Sequence, residues 1–161
     1  MKMIEKTVKL YLHDNETSLN NDDQTLLYQA REATKRAYAP YSHFFVGAAL
    51  RLSNGEIICG NNQENAAYPS GLCAERVAMF YAGSQYPGIA IESIAITASS
   101  EIHDVNNPVM SCGGCLQAML EYENKQHAPI RVIMQGEKGP VYIANDLSQL
   151  IPFRFQSLKN R

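Results

Sequence analysis

The apolar positions of this chain switch between a period of two and a period near 3.6, and the switches mark its elements. In TVKLYLH (7–13), Val8, Leu10 and Leu12 alternate with other residues, which predicts a strand; the polar DNETSLNNDD that follows predicts a loop. From Gln24 to Ala37, Leu26, Leu27, Ala30, Ala33 and Ala37 recur at helical spacing, with Asp22 or Asp23 placed to cap the start and Pro40 beyond the end. HFFVGAALRL (43–52) and EIICGNN (56–62), joined through Asn54-Gly55, predict a β-hairpin. LCAERVAMFYAGS (72–84) and CGGCLQAMLEYE (112–123) predict two buried helices. ESIAITAS (92–99) is continuously apolar enough to be a strand covered on both faces, PIRVIM (129–134) and GPVYIA (139–144) predict two more strands, and DLSQLI (146–151) a last helical turn. Strands alternating with helices imply an α/β sandwich with helices on the sheet faces. No repeat or low-complexity stretch interrupts this order.

Composition narrows the partners. A chain of 161 residues suggests one domain, 1–161, with 1–22 as an N-terminal extension, and at that length folding buries roughly two thirds of the unfolded surface. Net charge is −2, without the basic excess expected of a nucleic-acid binder. Lys2, Glu5, Lys6 and Lys9 break up the start, which therefore lacks the apolar core of a signal peptide, and no run of about 18 apolar residues suits a membrane span. The expectation is a cytoplasmic protein, where clustered cysteines point to metal or catalysis before disulfides.

Three of the four cysteines stand at the starts of the two buried helices: Cys73 in one, Cys112 and Cys115 in the other. A helix N-terminus favours negative charge and lowers thiol pKa values, and residues three apart share a helix face. Those facts suit a redox C-x-x-C, a closed structural zinc site or an open catalytic one. SCGGC lacks an aromatic before its first cysteine, and a third cysteine has a helix start of its own, which weighs against the redox pair. Three thiolates leave one vertex of a zinc tetrahedron free; a fourth closes it, and Cys59 is the sole candidate, although within EIICG it reads first as a small buried hydrophobe. None of His13, His43, His103 and His127 lies beside a cysteine in ligand spacing. Glu75, two residues from Cys73 in a buried helix, is either paired with a basic side chain or a proton carrier for an activated water. Arg76 is either an ordinary exposed arginine or a counter-charge to sulfurs that together outweigh a divalent cation.

CAE at 73–75 and CGGC at 112–115 resemble the zinc motifs of the deaminases, in which three Cys, or a His and two Cys, hold the metal and a non-ligand Glu handles protons. With AYAPYSHFFVGAAL (37–50), GNNQENAAY (60–68) and LIPFRF (150–155) in this order, the chain resembles the small tetrameric cytidine deaminases from about Leu26 to Phe155. That resemblance implies a three-layer α/β/α sandwich around a mixed five-stranded sheet, one zinc per chain on Cys73, Cys112 and Cys115, and hydrolysis of free cytidine and deoxycytidine in pyrimidine salvage. It implies that Glu75 takes a proton from the attacking water and delivers it to pyrimidine N3 and the leaving amine. Asn62 and Glu64 are expected on the ribose 3'-hydroxyl, Phe44 against the base, and the main chain of Ala74 at the base edge. Tyr68 and Phe155 are expected to reach a neighbouring subunit's pocket in a homotetramer with shared sites, with Arg76 beside the sulfurs. The absence of a Gly-rich phosphate loop favours a nucleoside over a nucleotide.

Two positions depart from the family pattern. Ser111 stands where the family has Pro, and is placed to cap the second helix; Leu116 stands where it has Arg, removing a positive charge near the metal end. The extension, with its strand-like TVKLYLH, is expected to add an edge strand or a subunit contact. Leu116 supports a rival reading, a deaminase of a modified nucleoside. A non-catalytic zinc protein closed by Cys59 is opposed by Glu75, Asn62 and Glu64, which such a site does not need, and a nucleic-acid editing deaminase by the acidic charge balance.

Overall fold

The computed structural model describes residues 1–155, so residues 156–161 of the expected single domain lie outside the described residues. Three helices form where the apolar spacing places them: α1 (Asn21–Thr34), α2 (Ala74–Gln85) and α3 (Gly113–Gln126). The first starts earlier than its apolar face because Asn20 is the cap, not Asp22 or Asp23. The Asn20 side-chain oxygen accepts the Asp23 N–H at 2.8 Å, while Asp23 accepts from the Asn20 amide at 2.9 Å. The first bond satisfies one helix-start N–H and the second holds the capping side chain in place, neither of which the apolar spacing registers.

Six strands form one mixed sheet: β1 (Tyr11–His13), β2 (Phe44–Leu52), β3 (Ile57–Asn61), β4 (Ile91–Ser100), β5 (Arg131–Gln135) and β6 (Val141–Ala144). Their spatial order is β1-β6-β5-β4-β2-β3, with β4 and β5 parallel and every other pair antiparallel. The expected five-stranded sheet therefore gains a sixth strand, and the N-terminal extension supplies it. The strand expected over residues 7–13 shortens to Tyr11–His13, which pair with Val141–Ile143. β6 ends at Ala144, so little partner strand remains for the residues before Tyr11. The Lys9 N–H instead donates to the Gln149 side chain at 2.7 Å.

Helix α1 covers one sheet face, packing Leu26, Leu27 and Ala30 on Ala49, Ala95, Ile133 and Ile143. On the other face Ala78, Met79 and Ala82 of α2 and Met119 and Leu120 of α3 pack on Leu50, Ile94, Ile96 and Val132. The result is a three-layer α/β/α sandwich whose β4 is covered on both sides. Arg131 Nη1 of β5 meets the buried Asp23 at 2.5 Å and ties α1 to the sheet.

Two glycines bring the helices within reach of the sheet. A Cβ on Gly47 would lie 2.0 Å from the Ala30 carbonyl oxygen, and one on Gly60 would lie 2.5 Å from that of Ala74. Gly60 thus lets β3 carry the first turn of α2 directly against it, which sets the position of the residues around Cys73.

Candidate active site and metal centre

Cys73 and Cys112 are the residues just before α2 and α3, each with extended backbone and a side chain that makes no capping bond to the backbone N–H groups of its helix. Their sulfurs are therefore free to face outward. Cys115 lies one turn inside α3 and is buried. The three Sγ atoms lie within 4.8 Å of one another. Convergence of three thiols at two positive helix ends is a donor set suited to zinc, whose ligands must be deprotonated. The Cys73 thiol is brought down to about 6, first because the Cys115 sulfhydryl hydrogen-bonds to it and then because the Arg76 guanidinium stands beside it. Cys115 is pushed up by that same bond and by burial.

Cys59 is no fourth ligand. It lies on β3 among the residues packed under α1, across the sheet from α2 and α3, with its sulfur 3.9 Å from the Gln29 carbonyl oxygen. Burial pushes its thiol up, as expected for a small buried hydrophobe. None of the four histidines joins a metal-type cluster among the described residues.

Arg76, in the first turn of α2, places Nη2 3.8 Å from Cys73 Sγ and 3.5 Å from the Gly71 carbonyl oxygen. It is a counter-charge to the sulfurs, not an exposed arginine. Glu75 is 4% exposed, lines the cleft and has no ion-pair partner among the described residues.

The cleft in front of these residues measures about 820 Å³, at the roomy end of the range for small-molecule sites. Cys73, Cys112, Glu75 and Arg76 line it, together with Phe44, Asn62, Glu64 and Tyr68. Asn62 accepts the Val46 N–H at 2.8 Å and donates to the Phe44 carbonyl at 2.9 Å, so its amide braces the start of β2. Glu64 accepts from the Tyr41 and Ser42 N–H groups at 2.9 and 3.3 Å and from the Ser42 hydroxyl at 2.5 Å. Burial, the largest single influence, pushes its carboxyl up, but those bonds together with the nearby His43 outweigh it and hold the group below the usual carboxylate range. A carboxylate so engaged retains room for about one further donor.

Ala74 and Phe155 lie outside the cleft lining. Ala74 is fully buried, and its carbonyl faces Gly60. Tyr68 stands in a 3-10 turn at the rim of its own chain's cleft, edge-on to Tyr41 with ring centroids 6.2 Å apart. Phe155 is 79% exposed, outside the cleft lining, and its carbonyl accepts from Gln117 of α3 at 3.2 Å. Ser111 does not cap α3, since Cys112 takes that place, and its buried hydroxyl has no partner among the described residues. Leu116 packs half-buried against the core, not into the cleft. Tyr41, Leu72, Val109 and Met110 also line the cleft. Tyr41 lies within the AYAPYSHFFVGAAL stretch and Met110 close to Cys112 in sequence, whereas Leu72 and Val109 carried no signal that singled them out for the cleft.

A three-layer α/β/α sandwich with three thiols at two helix starts and a buried carboxylate beside the first defines the zinc-dependent deaminase class. Residues 20–129 match the model of the cytidine and deoxycytidylate deaminase zinc-binding region. The cytidine deaminase of Sporosarcina psychrophila is 40% identical over 135 residues, 83% of this chain and 91% of its own. That of Halalkalibacterium halodurans is 44% identical over 100 residues, 62% of this chain and 71% of its own. The crystal structure of cytidine deaminase from Burkholderia pseudomallei superposes with a TM-score of 0.71 at 34% identity, covering 85% of this chain and all of that one. The chain belongs to the cytidine and deoxycytidylate deaminase zinc-binding family.

Proposed function

We propose that this chain hydrolyses free cytidine and deoxycytidine to uridine and deoxyuridine with release of ammonia. The observation that carries this reading is Glu75: a buried carboxylate with no basic partner, facing the same cleft as Cys73 and Cys112. What zinc supplies when held by Cys73, Cys112 and Cys115 is Lewis-acid activation that brings the pKa of water to about 7. Glu75 accepts a proton from water and gives it to pyrimidine N3 as the bond to C4 forms, then takes the proton of the new C4 hydroxyl and passes it to the amine as the C4–N bond breaks and the C4 carbonyl forms. One carboxylate serves both steps because they occur at adjacent edges of the ring.

Phe44 packs on the base and the main chain of Ala74 contacts its edge. Glu64, with room for one donor, takes the ribose 3'-hydroxyl together with the remaining amide hydrogen of Asn62. Arg76 offsets the excess thiolate charge. Loss of ultraviolet absorbance on mixing the purified protein with cytidine tests the reaction. We expect cytidine and deoxycytidine to turn over at rates well above cytidine monophosphate, single-stranded DNA and a panel of modified nucleosides. Comparable turnover of an oligonucleotide sinks the free-nucleoside reading; a modified nucleoside preferred over cytidine favours the rival one.

The same reading makes the working form a homotetramer with shared sites, in keeping with exposed Tyr68 and Phe155 and an open cleft. An exposed aromatic is well suited to anchor in a partner's pocket. Phe155→Ala is expected to keep zinc yet lose nucleoside affinity. Co-expressed Phe155→Ala and Glu75→Gln chains should form mixed oligomers more active than either parent, because a Glu75→Gln chain lends its Phe155 to a neighbour with intact Glu75. No gain in the mixture, or an active monomer on sedimentation, overturns sharing. We also propose a cytoplasmic location on this reading; among the described residues no helix is long and apolar enough to cross a membrane.

A further inference from the structure

The loop after β4 folds back over the cleft end of β2. It is tied down at two points. The Glu101 N–H donates to the His43 carbonyl at 3.3 Å, and Glu101 Oε2 lies 2.9 Å from His43 Nδ1. Farther on, Val105 is buried and its carbonyl accepts the Glu137 N–H at 2.7 Å. Between these anchors His103 lays its ring nearly parallel to that of Phe44, with centroids 6.3 Å apart and planes 16° from each other. Phe44 lines the cleft and His103 does not, so the imidazole takes the phenyl ring from outside. His43, immediately before Phe44, has φ of +51°, a left-handed conformation that a residue with a Cβ adopts where its surroundings impose it.

We infer that His103 is a positioning residue for the nucleoside, acting through Phe44. The inference rests on the reading of Phe44 as the platform for the base. A phenyl ring free to rotate must be ordered when substrate binds; one already stacked on an imidazole carried by a tethered loop is ordered beforehand, and that preorganisation appears as affinity. The Asn62 amide fixes the backbone on both sides of the platform, at the Phe44 carbonyl and the Val46 N–H, whereas His103 fixes the ring. His103 stands too far out to touch the reacting atoms, so its effect falls on KM and not on kcat.

The test is a double-mutant cycle on the zinc-loaded full chain, using cytidine as substrate and uridine as competing product. His103→Ala is expected to raise the KM for cytidine and the inhibition constant of uridine by about 3- to 10-fold, the range of an aromatic pair. It should leave kcat within about twofold and leave zinc content and Tm unchanged. His103→Phe, which keeps a flat ring, should restore KM. In a Phe44→Ala background His103→Ala should add nothing. An unchanged KM, a fall in kcat alone, a loss of zinc or Tm, or an equal rise in KM without Phe44 each overturns the inference. Failure of the wild type to deaminate cytidine would instead sink the functional reading, and a Phe44→Ala variant with normal KM would sink the platform.

Discussion

Glu75→Gln lowers cytidine turnover by at least the ~10²- to 10⁴-fold typical of losing a general acid–base group, while one zinc per chain remains. The substitution keeps the size and shape of a side chain that is almost wholly buried in the first turn of α2, so the packing around it is preserved. It removes the one property the reaction uses there, a site that gains and loses a proton. Zinc stays because the converging donors are three sulfurs and no carboxylate. Arg76 does not replace the lost group, since its guanidinium is engaged with Cys73 and does not shuttle protons near neutral pH. Initial rates followed by ultraviolet absorbance, with elemental analysis of the same sample, decide the matter. Near-normal turnover removes Glu75 from the mechanism, and loss of zinc makes it part of the metal site instead.

The second large effect separates the cysteines. Cys112→Ser and Cys115→Ser are each expected to take zinc from about one per chain to a small fraction, with turnover falling by more than the 10- to 100-fold that changes around a metal's ligands cost. Cys59→Ser should keep both zinc and activity. The contrast follows from placement: the first two sulfurs converge with Cys73 on the α2–α3 side, whereas Cys59 packs under α1. Replacing the Cys59 thiol by a hydroxyl disturbs only a half-buried site. Zinc stoichiometry for all three variants, measured after dialysis without chelator, is the direct check. Loss of zinc in Cys59→Ser would mean a closed site in place of one with an open position.

Much of this protein is determined by the chain read alone. The periods of two and 3.6 set all three helices and five of the six strands to within a few residues, because burial on one face or both dictates where apolar side chains fall. Cys73, Cys112, Cys115 and Glu75 stand within short motifs at helix starts, and local spacing suffices to place them there. What local spacing lacks is distance across the fold. Only the tertiary structure puts Cys73 beside Cys112 and Cys115, because Gly60 lets β3 seat the start of α2 while α3 packs beside it on the same face. Only it places Cys59 on the far side of the sheet, turns the N-terminal extension into the β1 edge of a six-stranded sheet, and moves the cap of α3 from Ser111 to Cys112. His103 reads along the chain as a surface residue, and its exposure agrees with that. Its ring meets Phe44, 59 positions earlier, because β2 and β4 pair antiparallel with Phe44 opposite Ser100, three residues before the histidine. A pairing register joins residues distant in sequence, and no periodicity within either segment encodes which partner it will meet.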